Sequence, residues 1–345
     1  MVELVSLEEI GAAAVRLRGV AVRTPLIPFT GQVNAASTLL IKPESLQPTG
    51  AFKLRGAYNA VYAVTRDLNS CAAPAGVVAH SSGNHGFAVA YAARLLGINA
   101  AIVVPKNAPA VKTEAIASTG AELVLVEPTL AARVAATDEI ARVRGYHPVA
   151  PFDDRDVIAG QGTIGLEIAE DFTTGPLQGA KPPAAVLVPI SGGGLISGIA
   201  VAIKTLLPGT RVIGVEPELA ADARDSLRAG TRVAWTPEQT LRTKADALRV
   251  EQVGELTFPH IQGYVDDIVT VSEDEMLDAI RRLARQARLI AEPGGAVAVA
   301  AALYRDPIEL GITSATQQPV VAVLSGGNID PTLLTDVLQT ESYTG

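Results

Sequence analysis

The chain has 345 residues, 48% hydrophobic and 19% charged, with 28 Lys and Arg against 36 Asp and Glu for a net charge of −8. That length supports a sizeable core divided into two lobes, and the composition excludes a disordered chain. An acidic chain with 4% aromatic residues has neither the basic patch nor the stacking platform of a nucleic-acid binder, and its one cysteine, Cys71, excludes an internal disulfide framework and a cysteine-rich metal site.

The first 19 residues are acidic before they are basic and predict an amphipathic helix, not a signal peptide. No apolar run approaches the roughly 18 residues that span a bilayer, so a cytosolic chain without a membrane partner is expected. Beyond residue 75, short apolar runs alternate with helical patterns, the order of a parallel α/β fold. Strands are predicted at Val77–His80, Ala100–Val104, Glu122–Val126, Ala184–Pro189, Arg211–Glu216, Ile268–Val271 and Val320–Leu324. Their nearly continuous apolar character suits strands covered on both faces. Helices are predicted between them at Gly86–Leu96, Ala110–Thr119, Leu130–Arg144, Gly160–Phe172, Leu195–Leu207 and Glu273–Leu289. The last opens on a capping box, Ser272 with Glu275, and turns Met276, Ile280, Leu283 and Ala287 to the core. Gly76–Gly145 reads as a compact β-α-β-α-β-α set suited to a small lobe inserted in a larger one, and residues 218–262, rich in Arg and Thr, as irregular and exposed.

Four segments carry chemistry. In Ser45–Ala57, Pro48 and Gly50 break the chain and Phe52 onward reads as a helix start. Lys53 then sits near the positive end of a helix dipole, which favours its neutral, nucleophilic form, whereas an isolated lysine there is ordinarily just solvated. His80-Ser81-Ser82-Gly83-Asn84-His85-Gly86 joins a strand to a helix, where backbone N–H groups suit a carboxylate or phosphate; an ordinary capped turn is the alternative. His85 has no metal-ligand spacing to another histidine. Ser191-Gly192-Gly193-Gly194-Leu195 again lies between a strand and a helix, and three glycines let backbone wrap a phosphate. It is neither a dinucleotide fingerprint nor a Walker A loop. Ser325-Gly326-Gly327-Asn328 follows the last strand, at the end where α/β sheets bind ligands.

In this order the four segments resemble the fold-type II enzymes that use pyridoxal 5′-phosphate (PLP), in the group of serine/threonine dehydratases and serine racemases. The resemblance runs from Arg23-Thr24-Pro25-Leu26 to Ile329-Asp330 and takes in Lys42-Pro43-Glu44, Ile158–Thr163, Gly214-Val215-Glu216-Pro217 and Glu292-Pro293. It implies a fold like that of the tryptophan synthase β subunit. Two lobes, each a mostly parallel twisted sheet flanked by helices, are expected: a large PLP-binding domain of residues 1–74 and 148–345, and a small domain, 75–147, inserted in it. Lys53 resembles the Schiff-base lysine and proton-transfer base, with Phe52 beside the ring. Asn84 resembles the partner of the pyridoxal 3′-oxygen, and Ser325 that of the pyridine nitrogen. Gly192, Gly193, Gly194 and Leu195 resemble the phosphate cradle. Ser81, Ser82, Gly83, Asn84 and His85 resemble the substrate-carboxylate loop, with Ser82 also the proton donor opposite Lys53 in the racemase branch. Glu216, the carbonyl of Ala220, and Asp222 match that branch's divalent-cation site, whose oxygen ligands suit Mg²⁺ or Ca²⁺.

The resemblance implies an ammonia-lyase that turns L-threonine or L-serine into 2-oxobutanoate or pyruvate and ammonia. Serine racemisation and dehydration of another β-hydroxy amino acid, such as 3-hydroxyaspartate, are the alternatives, and a non-enzymatic metabolite-binding protein is disfavoured by the pairing of Lys53 with Asn84. A small amino-acid substrate and a homodimer are expected, and a C-terminal regulatory domain is not. One position departs from the family: Ala245-Asp246-Ala247 replaces the usual Ala-Asp-Gly, and the added methyl is expected either to narrow the active site or to shift the cofactor slightly, which bears on the substrate and not on the cofactor.

Overall fold

A computed structural model describes residues 3–34, 38–66, 74–81, 83–108, 110–313 and 318–340. Ten strands are found there: β1 (Ile27–Pro28), β2 (Leu39–Pro43), β3 (Gly76–His80), β4 (Asn99–Pro105), β5 (Glu122–Val126), β6 (Tyr146–Pro148), β7 (Ala185–Pro189), β8 (Arg211–Pro217), β9 (Asp267–Val271) and β10 (Val320–Leu324). They form two sheets. One has six strands in the order β1-β2-β10-β7-β8-β9 and the other four in the order β5-β4-β3-β6. Every pairing is parallel except β1 with β2. β2, β7 and β10 are buried along their whole length, as expected for parallel strands covered on both faces.

The helices among the described residues are α1 (Leu7–Arg16), α2 (Lys53–Thr65), α3 (Asn84–Leu96), α4 (Ala110–Ala117), α5 (Leu130–Arg144), α6 (Arg155–Thr173), α7 (Gly194–Leu206), α8 (Asp222–Ala229), α9 (Pro237–Thr240), α10 (Thr257–Tyr264), α11 (Glu273–Arg282), α12 (Pro293–Tyr304) and α13 (Pro331–Gln339). None is long and apolar enough to cross a membrane. α12 is an Ala- and Val-rich helix buried on every side against the six-stranded sheet, and so it lacks an amphipathic stripe. α6 and α7 cover the opposite face with Ile164, Ile168, Ile196, Ile199 and Ile203.

Two expectations are corrected. Residues 218–262 are not simply irregular and exposed: α8, α9 and α10 lie there, and Ser226, Thr257, Phe258 and Ile261 are buried. Their short apolar stretches are interleaved with solvated charges, which masks the period. The helix predicted over Glu273–Leu289 begins with its capping box and buries Met276, Ile280 and Leu283, but its α-helical part ends at Arg282. A π-turn, Leu283–Ala287, follows, and Arg288 takes a left-handed φ of 59°. Wide turns and left-handed non-glycine residues are rarely adopted without a local reason.

A buried ion cluster ties the layers together beside α2. The Arg55 guanidinium donates to both oxygens of Glu44 at 2.7 and 3.0 Å and to both of Glu167 at 2.6 and 3.0 Å. Lys42, fully buried on β2, donates to Glu167 and to the Thr24 carbonyl, both at 2.6 Å. Burial would push Glu44 up, but the adjacent guanidinium outweighs it and holds the carboxyl below its usual range. Removing one member of such a cluster strands a charge in the interior. Arg55→Met is expected to cost about 3–5 kcal/mol of stability, read as the shift in a denaturant melt. A loss below about 1 kcal/mol would mean that water or a neighbour replaces the guanidinium.

Candidate active site

Three of the four motif segments follow the carboxyl ends of β3, β7 and β10; the segments of Lys53, Asn84 and Ser325 touch one another directly, and the glycine loop is joined to Lys53 through the Pro151–Phe152 turn. The first contact is backbone. Phe52 N–H donates to the Ser325 carbonyl at 3.0 Å, and Gly327 N–H to the Gly50 carbonyl at 2.9 Å, with an Ala51–Gly326 bridge between them. Gly50 turns the chain into this pairing at φ 72°, where a side chain would also collide with the Asn328 amide. Lys53 is therefore delivered as the first residue of α2, over the end of β10.

Its half-buried ammonium donates to the Pro151 carbonyl at 2.6 Å and lies 5.1 Å from the centre of the Phe52 ring. A neutral carbonyl compensates a buried charge poorly, and burial pulls the lysine down to about 8. A nucleophilic amine is thus available near neutrality.

Asn84 opens α3, and hydrogen bonds at both ends of its amide fix its orientation. Its Nδ2 donates to Glu292 Oε1 at 2.6 Å, while its Oδ1 accepts from Asn328 Nδ2 at 2.7 Å. Asn328 Nδ2 donates also to the Thr49 carbonyl at 2.9 Å. Glu292, at the head of α12, is pushed up to about 7 by burial, with Asp246 adding to the rise. Ser81 Oγ accepts from Gly83 N–H at 3.2 Å and shapes the turn into α3, whereas Ser82 lies outside the described residues. His85 is buried, and its Nε2 donates to the Val149 carbonyl at 2.9 Å. Burial together with nearby Lys53 lowers it to about 3, so the ring is neutral with its proton on Nε2.

The glycine loop follows β7 and opens α7, whose first turn has no side-chain cap. Ser191 Oγ is buried there without a hydrogen-bond partner. An uncapped helix N-terminus beside an orphaned hydroxyl suits a phosphate. Bulk is excluded from behind: a Cβ on Gly192 would collide with the Phe152 ring, and one on Gly193 would come within 2.8 Å of Thr257 Oγ1. The residues present thus fit a phosphate-bearing aldehyde: a desolvated amine at Lys53, and an uncapped helix start with an orphaned hydroxyl at Ser191–Leu195. Ser325 is buried beneath the Phe52–Lys53 segment.

The remaining sequence-derived positions lie close by. Glu216, at the end of β8, accepts from the N–H groups of Ala223 at 3.1 Å and Arg224 at 2.8 Å, which caps α8. Asp222 is 1% exposed and neither of its oxygens has a hydrogen-bond partner. Burial pushes it up to about 7; its own N–H and that of Val253 stand near enough to moderate the rise but outside hydrogen-bond geometry. Glu216 is raised as well, by burial and then by Asp222. Ala220 is buried beside them. No group of three or more His, Cys, Asp or Glu suited to a metal occurs among the described residues. Ala247 is exposed, and its methyl lies 3.4 Å from where a Cβ on Gly294 would stand, so the small residue at 294 leaves it room.

Glu292, Asn328, Thr257 and the Pro151–Asp154 turn were not singled out as site residues from sequence. The Glu292-Pro293 pair was visible as a segment, but its contact with Asn84 spans 208 positions and leaves no local signal.

The chain from residue 17 to 326 matches the family model described as pyridoxal-phosphate dependent enzyme. It is 39% identical over 339 residues to L-threonine ammonia-lyase of Thermotoga maritima, covering 97% of this chain and 78% of that one. It is 38% identical over 292 residues to L-threo-3-hydroxyaspartate ammonia-lyase of Saccharomyces cerevisiae, covering 85% and 83%. Among solved structures, maize serine racemase superposes with a TM-score of 0.85 at 34% identity, covering 97% of each chain.

A lowered lysine reacts where exposed lysines are still protonated. Condensation of Lys53 with aldehydes, trapped by borohydride and located by mass spectrometry, is expected to rise with pH and reach half its maximum near pH 8. A midpoint near the ordinary 10.5 would show that the amine is not desolvated.

Proposed function

The chain belongs to the family of pyridoxal-phosphate dependent enzymes, and from that premise we propose that it is an ammonia-lyase converting L-threonine, L-serine or both to 2-oxobutanoate or pyruvate and ammonia. The observation that carries the reading is Lys53: an amine lowered to about 8, held by the Pro151 carbonyl in the turn whose Phe152 ring backs the glycine loop. When bound, PLP supplies the electron sink for the charge left on the substrate Cα. The chain supplies the rest. Gly192, Gly193, Gly194 and Leu195, with Ser191, hold the phosphate through backbone N–H groups and one hydroxyl. Asn84, its amide oriented by Glu292 and Asn328, would hold the ring oxygen, with Phe52 beside the ring. Ser325 would offer the ring nitrogen a neutral hydroxyl in place of a carboxylate. Ser81, Gly83, Asn84 and His85 place N–H groups at the head of α3 for the substrate carboxylate. Lys53, once its amine is free, takes the Cα proton. Loss of water across Cα and Cβ and hydrolysis of the remaining carbon–nitrogen bond balance the reaction as 2-oxo acid plus ammonia.

The test is a panel of serine, threonine and 3-hydroxyaspartate stereoisomers scored for keto acid and for enantiomer together. Keto acid from L-threonine or L-serine is expected to form faster than the opposite enantiomer, and Lys53→Ala to abolish both. Full activity in Lys53→Ala would overturn the assignment.

A second reading, serine racemase, is favoured by one observation: the unpartnered Asp222 carboxylate beside Glu216 and Ala220. Two buried carboxylates raised by burial suit a divalent cation of the Mg²⁺ or Ca²⁺ type, and a cation there is the racemase-branch feature. On this reading enantiomer forms first and Ser82 supplies the second proton. Because a ligand that binds only the folded state stabilises it by mass action, Mg²⁺ or Ca²⁺ is expected to raise the melting temperature and a chelator to lower it. Glu216→Gln with Asp222→Asn is expected to remove that response, and identical melting curves with metal and chelator would reject the site. A homodimer, expected from the resemblance, is tested by light scattering on the purified chain.

A further inference from the structure

The Pro151–Asp154 turn assigns each of four consecutive residues to a different partner. The Pro151 carbonyl accepts from Lys53 at 2.6 Å, and the Phe152 ring lies behind Gly192. Asp154 accepts from Val157 N–H at 2.9 Å and caps α6. Asp153 works at long range. Its Oδ2 accepts from Glu255 N–H at 2.9 Å, and its Oδ1 from Leu256 and Thr257 N–H at 2.8 and 3.2 Å. α10 has no side-chain cap from its own N-cap residue, so Asp153 provides one from about a hundred positions away.

What that cap holds bears on the phosphate. Thr257, the first residue of α10, donates its hydroxyl to the Gly192 carbonyl at 2.6 Å, and Gly254 N–H donates to the same oxygen at 3.2 Å. No peptide bond among the described residues is cis, and in a trans peptide the carbonyl and the following N–H point in opposite directions. Fixing the Gly192 carbonyl toward Thr257 therefore turns the Gly193 N–H the other way, away from α10.

We propose that Asp153 is a positioning residue for the cofactor phosphate: it sets α10, α10 sets Thr257, and Thr257 fixes the Gly192 peptide whose N–H faces the phosphate. The inference rests on the cofactor reading above and names residues that no resemblance pointed to. Its reach is specific. Loss of Asp153 should weaken whatever holds the phosphate and leave whatever holds the aldehyde.

The test compares binding of PLP with binding of pyridoxal, which has no phosphate, to protein stripped of cofactor and followed by cofactor absorbance. Asp153→Asn keeps the shape but presents an NH₂ to one of the three donors. It is expected to weaken PLP binding about tenfold, the effect of a lost charge-assisted hydrogen bond, and to change pyridoxal binding by less than about threefold. Thr257→Val removes only the hydroxyl, leaves the cap intact, and is expected to show the same selectivity if Asp153→Asn folds poorly. Asp154→Ala removes the side-chain cap of α6 and is expected to lower the melting temperature without distinguishing the two ligands. Equal weakening of PLP and pyridoxal in Asp153→Asn and Thr257→Val, or no weakening of PLP, would overturn the proposal. Wild-type protein that binds neither ligand would instead overturn the cofactor reading beneath it.

Discussion

The Arg55 guanidinium is the constraint on which the site depends. It stands two residues beyond Lys53 on the same helix and donates to two carboxylates from different parts of the chain, Glu44 and Glu167. A buried cluster of this kind adds little net stability over an apolar equivalent, but loss of any one member leaves an uncompensated charge in the interior. Glu44 follows β2 and Glu167 lies on α6, so the cluster fixes the start of α2 against a strand and a helix together. Lys53 has no ion pair of its own among the described residues, and its position is inherited from Arg55 and from the backbone pairing with Ser325 and Gly327.

The same division recurs across the site: the groups suited to chemistry are held by groups that do none. The Asn84 amide is oriented by Glu292 and Asn328, and the glycine loop is closed from behind by Phe152 and Thr257. Amide and peptide orientation are cheap to lose in an open loop. Here each is anchored by a partner on a different element, which is how the site gains definition.

The strands that end at the site were legible because β3, β7 and β10 are unbroken apolar runs, and the motif loops were legible because glycine and asparagine cluster straight after them. β2 escaped notice because it carries Lys42, whose burial is intelligible only through Glu167, 125 positions away. β1 and β6 are two and three residues long and carry no period. α8 and α10 were read as irregular because their helical caps come from Glu216 and Asp153, outside the segments themselves. The spacing of Ala247 from Gly294, at the head of α12, was not visible in the sequence because it depends on a contact 47 positions away.

The π-turn before Arg288 bears on how this chain can change its length. A wide turn holds one residue more than an α-helical turn spanning the same rise. Deleting a residue between Leu283 and Arg288 would restore an ordinary helix and remove the need for a left-handed arginine, a local gain in backbone energy. It would also draw Ile290, Ala291 and Glu292 back by one position and take the Glu292 carboxyl away from Asn84. The number of residues between Leu283 and Glu292, as well as their kind, therefore sets the position of the group that orients Asn84.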